Sequence, residues 1–107
     1  MKLLIAIVSN DDVRLLLEAL VEEGFRATKL ASTGGFLRKG NTTLLMGIAN
    51  EDIDGVLQII RKTCRRRTVP YPFPVTEHPG MIPHEAINVE VGGATIFVIP
   101  VEQQVRY

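Results

Sequence analysis

Lys29-Leu30-Ala31-Ser32-Thr33-Gly34-Gly35-Phe36-Leu37-Arg38-Lys39-Gly40-Asn41-Thr42-Thr43 is the stretch on which the reading of this chain turns. Apolar, β-rich segments stand on either side of it, at 25–32 and 41–49, so a loop over 33–40 joins two strands. The loop is richer than a simple connection requires. Glycines at 34, 35 and 40 and hydroxyls at 32 and 33 offer N–H and O–H groups that can cradle a phosphate. The ring of Phe36 can stack on a base, and the amide of Asn41 can pair with an adenine edge. These residue types, gathered in one loop, point to a nucleotide site.

Working outward, residues 2–8 are β-rich and, after Lys2, apolar throughout, as in a strand buried on both faces. Ser9-Asn10-Asp11-Asp12 offers an N-cap, and its two carboxylates suit a helix start. Val13, Leu16, Leu17, Leu20 and Val21 then recur at helical spacing with Arg14, Glu18 and Glu22 opposite, and Gly24 reads as the C-terminal stop. On the far side of the loop, both alternating sets of 41–49 are apolar or small. Asn50-Glu51-Asp52 caps a second helix whose apolar face is Ile53, Val56, Leu57, Ile60 and Cys64. Residues 69–83 hold Pro70, Pro72, Pro74, Pro79 and Pro83, which excludes a helix or a central strand and predicts a long loop reaching Glu85. Residues 86–91, Gly92-Gly93 and 94–101 predict a C-terminal β-hairpin with a two-residue turn, and Pro100 marks an edge or the end of its second strand. The last residues, 102–107, carry no pattern.

The chain has 107 residues, 46% of them hydrophobic and 22% charged, which makes a single domain over 1–107 able to build a core. Its formal net charge of zero argues against a nucleic-acid polyanion as partner, so neither DNA nor RNA is expected. The cationic run Arg61-Lys62-Thr63-Cys64-Arg65-Arg66-Arg67 reads as a solvated helix end. A single cysteine excludes an internal disulfide framework and any multi-cysteine metal site, and Cys64 itself falls on the core face, where a thiol is inert. Glu77, His78, His84 and Glu85 lie in the proline-rich segment without metal-binding spacing, so no metal is expected. No arrangement of nucleophile and base stands out, and both histidines lie in that same segment. The apolar start is too short to span a bilayer and lacks a cleavage site, which gives the expectation of a soluble, cytoplasmic protein without membrane attachment.

The order βαβ, loop, βαββ leaves two helices to cover a sheet, and they suffice for one face only. Yet residues 3–8, 41–49 and 96–99 carry apolar side chains in both alternating sets. The second face then needs cover from elsewhere, and copies of the same chain in a symmetric homo-oligomer would provide it. Clefts between subunits are natural ligand sites.

Residues 29–37, then Gly40-Asn41-Thr42-Thr43-Leu44, then Val91-Gly92-Gly93-Ala94-Thr95-Ile96-Phe97-Val98 resemble the PII-like cyclic-di-AMP receptor proteins of bacteria, in order along nearly the whole chain. The resemblance implies an α+β, ferredoxin-like βαββαβ domain assembled as a homotrimer through one face of its sheet. It further implies cyclic-di-AMP in the clefts between subunits, signal transduction to a downstream protein the sequence does not name, no catalytic activity and no cofactor beyond the ligand. Carried onto this chain, it implies stacking of an adenine on Phe36 with Leu37 beside it, an Asn41 bond to the adenine edge, and close approach of the base at Gly47. Arg26, Thr28 and the N–H groups around Gly35 would meet the phosphates, and Phe97 would close the site from a neighbouring subunit. The chain departs from true PII proteins in lacking a glycine-rich phosphate cradle after the second helix and a modifiable Tyr before Asn41. The alternatives are a PII-like sensor of ATP or of a metal, and a trimeric scaffold that binds no ligand.

Overall fold

The computed structural model describes residues 1–30, 40–71 and 87–107. Lys2–Ser9 forms β1, Val13–Glu22 α1, Thr28–Lys29 β2 and Asn41–Ile48 β3. A 3-10 turn over Asn50–Asp52 leads into α2, Ile53–Thr63, and the chain ends with β4 (Arg67–Tyr71), β5 (Ile87–Val91) and β6 (Ala94–Pro100). The main sheet has the order β2-β3-β1-β6. β1 is antiparallel to both β3 and β6, and β2 is antiparallel to β3. β1 and β2 therefore run in one direction with β3 between them, so α1 and α2 each carry the chain across an intervening strand. This interleaved βαββαβ order is consistent with a ferredoxin-like fold.

The core lies between the sheet and the helices. Leu4, Ala6 and Val8 of β1 and Leu44, Met46 and Ile48 of β3 are buried against Val13, Leu16 and Leu20 of α1 and Val56 and Ile60 of α2. Every buried apolar sheet residue in this set belongs to one alternating series, so both helices sit on the same face. α1 stops where the sequence predicts: Gly24 has φ +86°, a left-handed geometry that glycine adopts without a side-chain clash, and Phe25 N–H then bonds back to the Leu20 carbonyl at 2.8 Å. β2 is far shorter than the predicted 25–32, because pairing with β3 is confined to Thr28 and Lys29, while Phe25 and Ala27 pack against the core.

The chain's second half corrects three expectations. Residues 86–91 and 94–101 do not form a hairpin with each other: β6 pairs with β1, and β5 pairs with β4 in a separate two-stranded sheet. Gly92 and Gly93, both at φ +83°, instead turn the chain from the ribbon into the main sheet. The predicted long loop begins late, since β4 runs through Pro70, opposite Asn88. A two-stranded ribbon consists only of edges, where a residue without an N–H is tolerated.

Arg67 is the third correction. It is not a solvated end of the cationic run, for its Nη2 donates to Asp12 Oδ1 at 2.9 Å and its Nη1 to Asp12 Oδ2 at 3.4 Å. The Asp12 side chain is only 3% exposed and does not cap α1. The two-point pairing satisfies a buried carboxylate and raises the already high pKa of Arg67 through the hydrogen bond. Gly92 packs on the same junction: a Cβ there would lie 2.5 Å from the Arg65 carbonyl oxygen and 2.7 Å from Arg67 Nη1. The base of the ribbon is thus tied to the start of α1.

Breaking the pair strands a buried charge, which costs more than the pair itself contributes. Arg67→Gln is expected to lower Tm by roughly 5–10 °C. Adding Asp12→Asn should restore part of that loss, and a double-mutant cycle by thermal denaturation reads the coupling. Strict additivity of the two substitutions would contradict the pairing.

Candidate ligand-binding site

The face of the main sheet turned away from the helices has a definite layout. Cross-strand partners share a face, so the register places Thr28, Leu45, Ile5 and Phe97 in one row across all four strands. Gly47, Leu3 and Ile99 form the row on one side of it, and Thr43, Ile7 and Thr95 the row on the other. Leu3, Ile5, Ile7 and Leu45 are half-buried, and Phe97 and Ile99 are 52% and 42% exposed. Apolar side chains therefore occupy both faces, as the sequence predicts, and on this one, among the described residues of the sheet, Thr43 alone is fully buried.

Several of the residues singled out from sequence meet on this face. Thr28, Asn41, Gly47 and Phe97 all belong to the series that points away from the helices, and Arg26 lies just before β2 with its side chain exposed. They do not form one pocket. Thr28 and Phe97 are separated by three strand spacings, about 14 Å. Asn41 lies four residues along β3 from the row of Thr28, about 13 Å. Gly35, Phe36 and Leu37 lie outside the described residues, as do His78 and His84. Leu30 N–H bonds the Thr43 carbonyl at 2.9 Å, and the Gly40 carbonyl accepts Asn10 N–H at 2.8 Å, so both ends of the 31–39 segment are anchored beside Thr43 and Asn41. Thr42 Oγ1 also donates to Asn10 Oδ1, and Gly40 enters β3 at φ +96°.

Gly47 is the most informative of these positions. It sits inside β3 with unbroken register on both sides, which excludes a bulge. Its φ is not positive, and a Cβ would meet nothing nearer than Met1 Sδ at 3.9 Å. Glycine inside a strand costs about 0.5–1 kcal/mol relative to alanine, yet nothing in the described chain requires it here. A glycine at an exposed strand position leaves room for another group to approach the backbone closely.

Sequence reading passed over Thr43. It lies between Asn41 and Leu45 on the same face, is 5% exposed, and its Oγ1 has no hydrogen-bond partner among the described residues. Period-two alternation from Asn41 is the signal that places it there. Cys64, in contrast, is buried at the end of α2, and its thiol pKa is pushed up to about 11 by burial first and by Asp12 second, with Arg67 opposing. Among the described residues no group of acidic, histidine or cysteine side chains could hold a metal ion, and no helix is long and apolar enough to cross a membrane.

Comparison with known proteins shows the family. A family model described as "Cyclic-di-AMP receptor" matches residues 1–107, the whole chain. The chain belongs to the cyclic-di-AMP receptor family. Among solved structures, it is similar to a functionally unknown protein from Pediococcus pentosaceus ATCC 25745, with 42% identity and a TM-score of 0.76 over 99% of this chain and 96% of that one. The family is one of receptors, and its ligand is the one the sequence resemblance implies.

Two outcomes follow from the geometry of this receptor. Gly47→Ala adds a Cβ that meets nothing among the described residues nearer than Met1 Sδ at 3.9 Å, so its far-UV circular dichroism should match wild type while cyclic-di-AMP affinity falls at least about tenfold; undiminished affinity would mean that no ligand or subunit approaches there. Cys64 should react with a thiol reagent at pH 8 about 100-fold more slowly in the native than in the denatured protein, as two decades less thiolate predicts. Because only the unfolded thiol ionises above pH 9, Cys64 makes folding weaken as pH climbs from 9.0 towards about 11.

Proposed function

We propose that this protein is a cytoplasmic receptor that binds cyclic-di-AMP in the clefts between subunits of a homotrimer. Membership of the cyclic-di-AMP receptor family supports the ligand. The observation that carries the cleft is Gly47: a strand glycine on the apolar face turned away from the helices, with no reason for it among the described residues. Covering that face with further copies removes the exposed parts of Leu3, Ile5, Ile7, Leu45, Phe97 and Ile99 from water, at about 25 cal/mol per Å² of apolar surface. The span between Thr28 and Phe97 supports the same arrangement, because Phe97 reaches a ligand held at Thr28 more readily from a neighbouring subunit than from its own.

In this reading one adenine stacks on Phe36 beside Leu37, and Asn41 bonds its edge. Gly47 admits the base to the strand. Arg26 and Thr28 meet the phosphates together with the N–H groups around Gly35, the guanidinium through charge-assisted hydrogen bonds. The exposed position of Arg26, without an ion pair among the described residues, leaves it available for that task. The protein performs no chemistry on the nucleotide. Binding shifts the conformations of 33–40 and 69–85, and a partner protein reads the difference.

Isothermal titration tests this reading. Cyclic-di-AMP should saturate the protein near one ligand per subunit, with cyclic-di-GMP and ATP far weaker, and the nucleotide should be recovered intact. Phe36→Ala should weaken binding by about tenfold or more, since stacking contributes about 1–3 kcal/mol per base, without dissolving the oligomer. A response to ATP but not to cyclic-di-AMP would overturn the ligand, and unaltered affinity in Phe36→Ala would overturn the stacking role.

A further inference from the structure

On the helix side of the sheet, away from the face just described, the last turns of α2 and the start of β6 enclose a pocket of about 350 Å³. Its floor is apolar: Leu57 and Ile60 from α2, Ala94 and Ile96 from β6. Ala94 and Ile96 pair with Val8 and Ala6, whose side chains belong to the helix-side core, so this pocket stays open when the opposite face is covered. Arg61, Arg65 and Arg66 form its rim, and Gly93 and Cys64 close its end.

The rim is not a plain solvated helix end. Cations in the last turn of α2 suit the helix dipole, which accounts for Arg61 and Lys62. It does not account for three guanidinium groups around an apolar depression. Among the described residues, the ion pairs are Arg14–Glu18 and Arg67–Asp12, so the rim arginines have no carboxylate partner there. Asp12, which acts on Cys64 at this end of α2, is already engaged by Arg67, and Glu51, Asp52 and Asp54 lie at the helix's other end. The pocket is also held in shape. Gly93 N–H bonds the Cys64 carbonyl, Gly92 packs against the Arg65 carbonyl, and Arg66 lies over Gly93, where a Cβ would be 3.7 Å from its Nε.

We propose that this pocket docks an acidic segment of a partner protein, with one apolar side chain seated on Leu57, Ile60, Ala94 and Ile96 and flanking carboxylates on Arg61, Arg65 and Arg66. Charge complementarity selects the occupant. Guanidinium groups pair with carboxylates at two points, and an apolar floor between them calls for an apolar side chain rather than a bare anion. Nucleic acid suits the pocket poorly, for it has no aromatic platform and the chain has no net positive charge. The proposal rests on the reading that a protein partner recognises this receptor. It adds where: the wall formed by Arg65 and Arg66 runs directly into Arg67 and the base of the β4–β5 ribbon, so a movement of the ribbon reaches the docked segment.

The test is fluorescence anisotropy with a short labelled peptide in which Glu and Asp flank one central Leu. The Gln/Asn counterpart, and the peptide with Ser in place of Leu, should each bind at least about tenfold more weakly. The exposed pair change R65E/R66E should do the same while leaving cyclic-di-AMP titration and oligomer mass as in wild type. Those two controls separate failure of the docking site from failure of the receptor reading. Absence of binding at millimolar peptide, equal binding by R65E/R66E, equal binding of the Ser peptide, displacement by an oligothymidylate of matched charge, or a changed oligomer mass in R65E/R66E would each overturn the proposal. The last would assign the pocket to a second copy of the chain.

Discussion

A sheet with two apolar faces and helices for only one of them is the constraint behind the rest of this structure. β1 sets it. Leu4, Ala6 and Val8 turn to the helices and are essentially inaccessible to water, while Leu3, Ile5 and Ile7 turn the other way and remain half-buried. Cross-strand register carries the same two faces into β3 and β6, with Leu44, Met46 and Ile48 buried on the helix side and β6 exposed along most of its length. Solvent tolerates scattered apolar side chains, but a contiguous row from Leu45 through Ile5 to Phe97 is the kind of patch that marks an interaction surface. The helix side supplies stability to the single chain. The other side leaves apolar surface exposed and, at Gly47, a strand position without a side chain.

A second junction determines how the chain's far half is held. Asp12, buried at the start of α1, is satisfied by Arg67 at the start of β4. Around this pair the chain folds tightly enough that only glycine is accommodated at position 92, by both its positive φ and its distance from the Arg65 carbonyl. A buried carboxylate with one guanidinium partner is a poor source of net stability. Its effect is geometric: it fixes where the β4–β5 ribbon leaves the body of the protein. The rim of the arginine pocket and the root of the ribbon are therefore consecutive residues, and the two cannot move independently.

Local signals in the sequence were legible because local physics determines them. Helical periodicity locates α1 and α2, Gly24 stops α1, and apolar residues in both alternating sets locate β1 and β3 and predict a second apolar face. What failed depended on partners distant in sequence. Gly92-Gly93 supplies positive φ for a hairpin and for a turn between two sheets alike, so local chemistry could not reveal that β6 pairs with β1 and β5 with β4. Pro70 argues against a central strand but is compatible with an edge, and β4 is an edge. Arg67 looked like one more surface cation because Asp12 is far away in sequence. Of the candidate site, cross-strand register, which the sequence does not display, puts Thr28, Asn41, Gly47 and Phe97 on one face. The roles of Gly35, Phe36 and Leu37 rest on the family resemblance and on the chemistry of those side chains.

Native mass spectrometry with cyclic-di-AMP addresses the central claim most directly, because it counts subunits and ligands in the same particle. The account predicts a species of three 11.8 kDa chains that takes up three nucleotides, with no ligand on any monomer. A monomer that binds cyclic-di-AMP, or a trimer that takes up none, would contradict the claim that the uncovered sheet face is where both the subunits and the ligand meet.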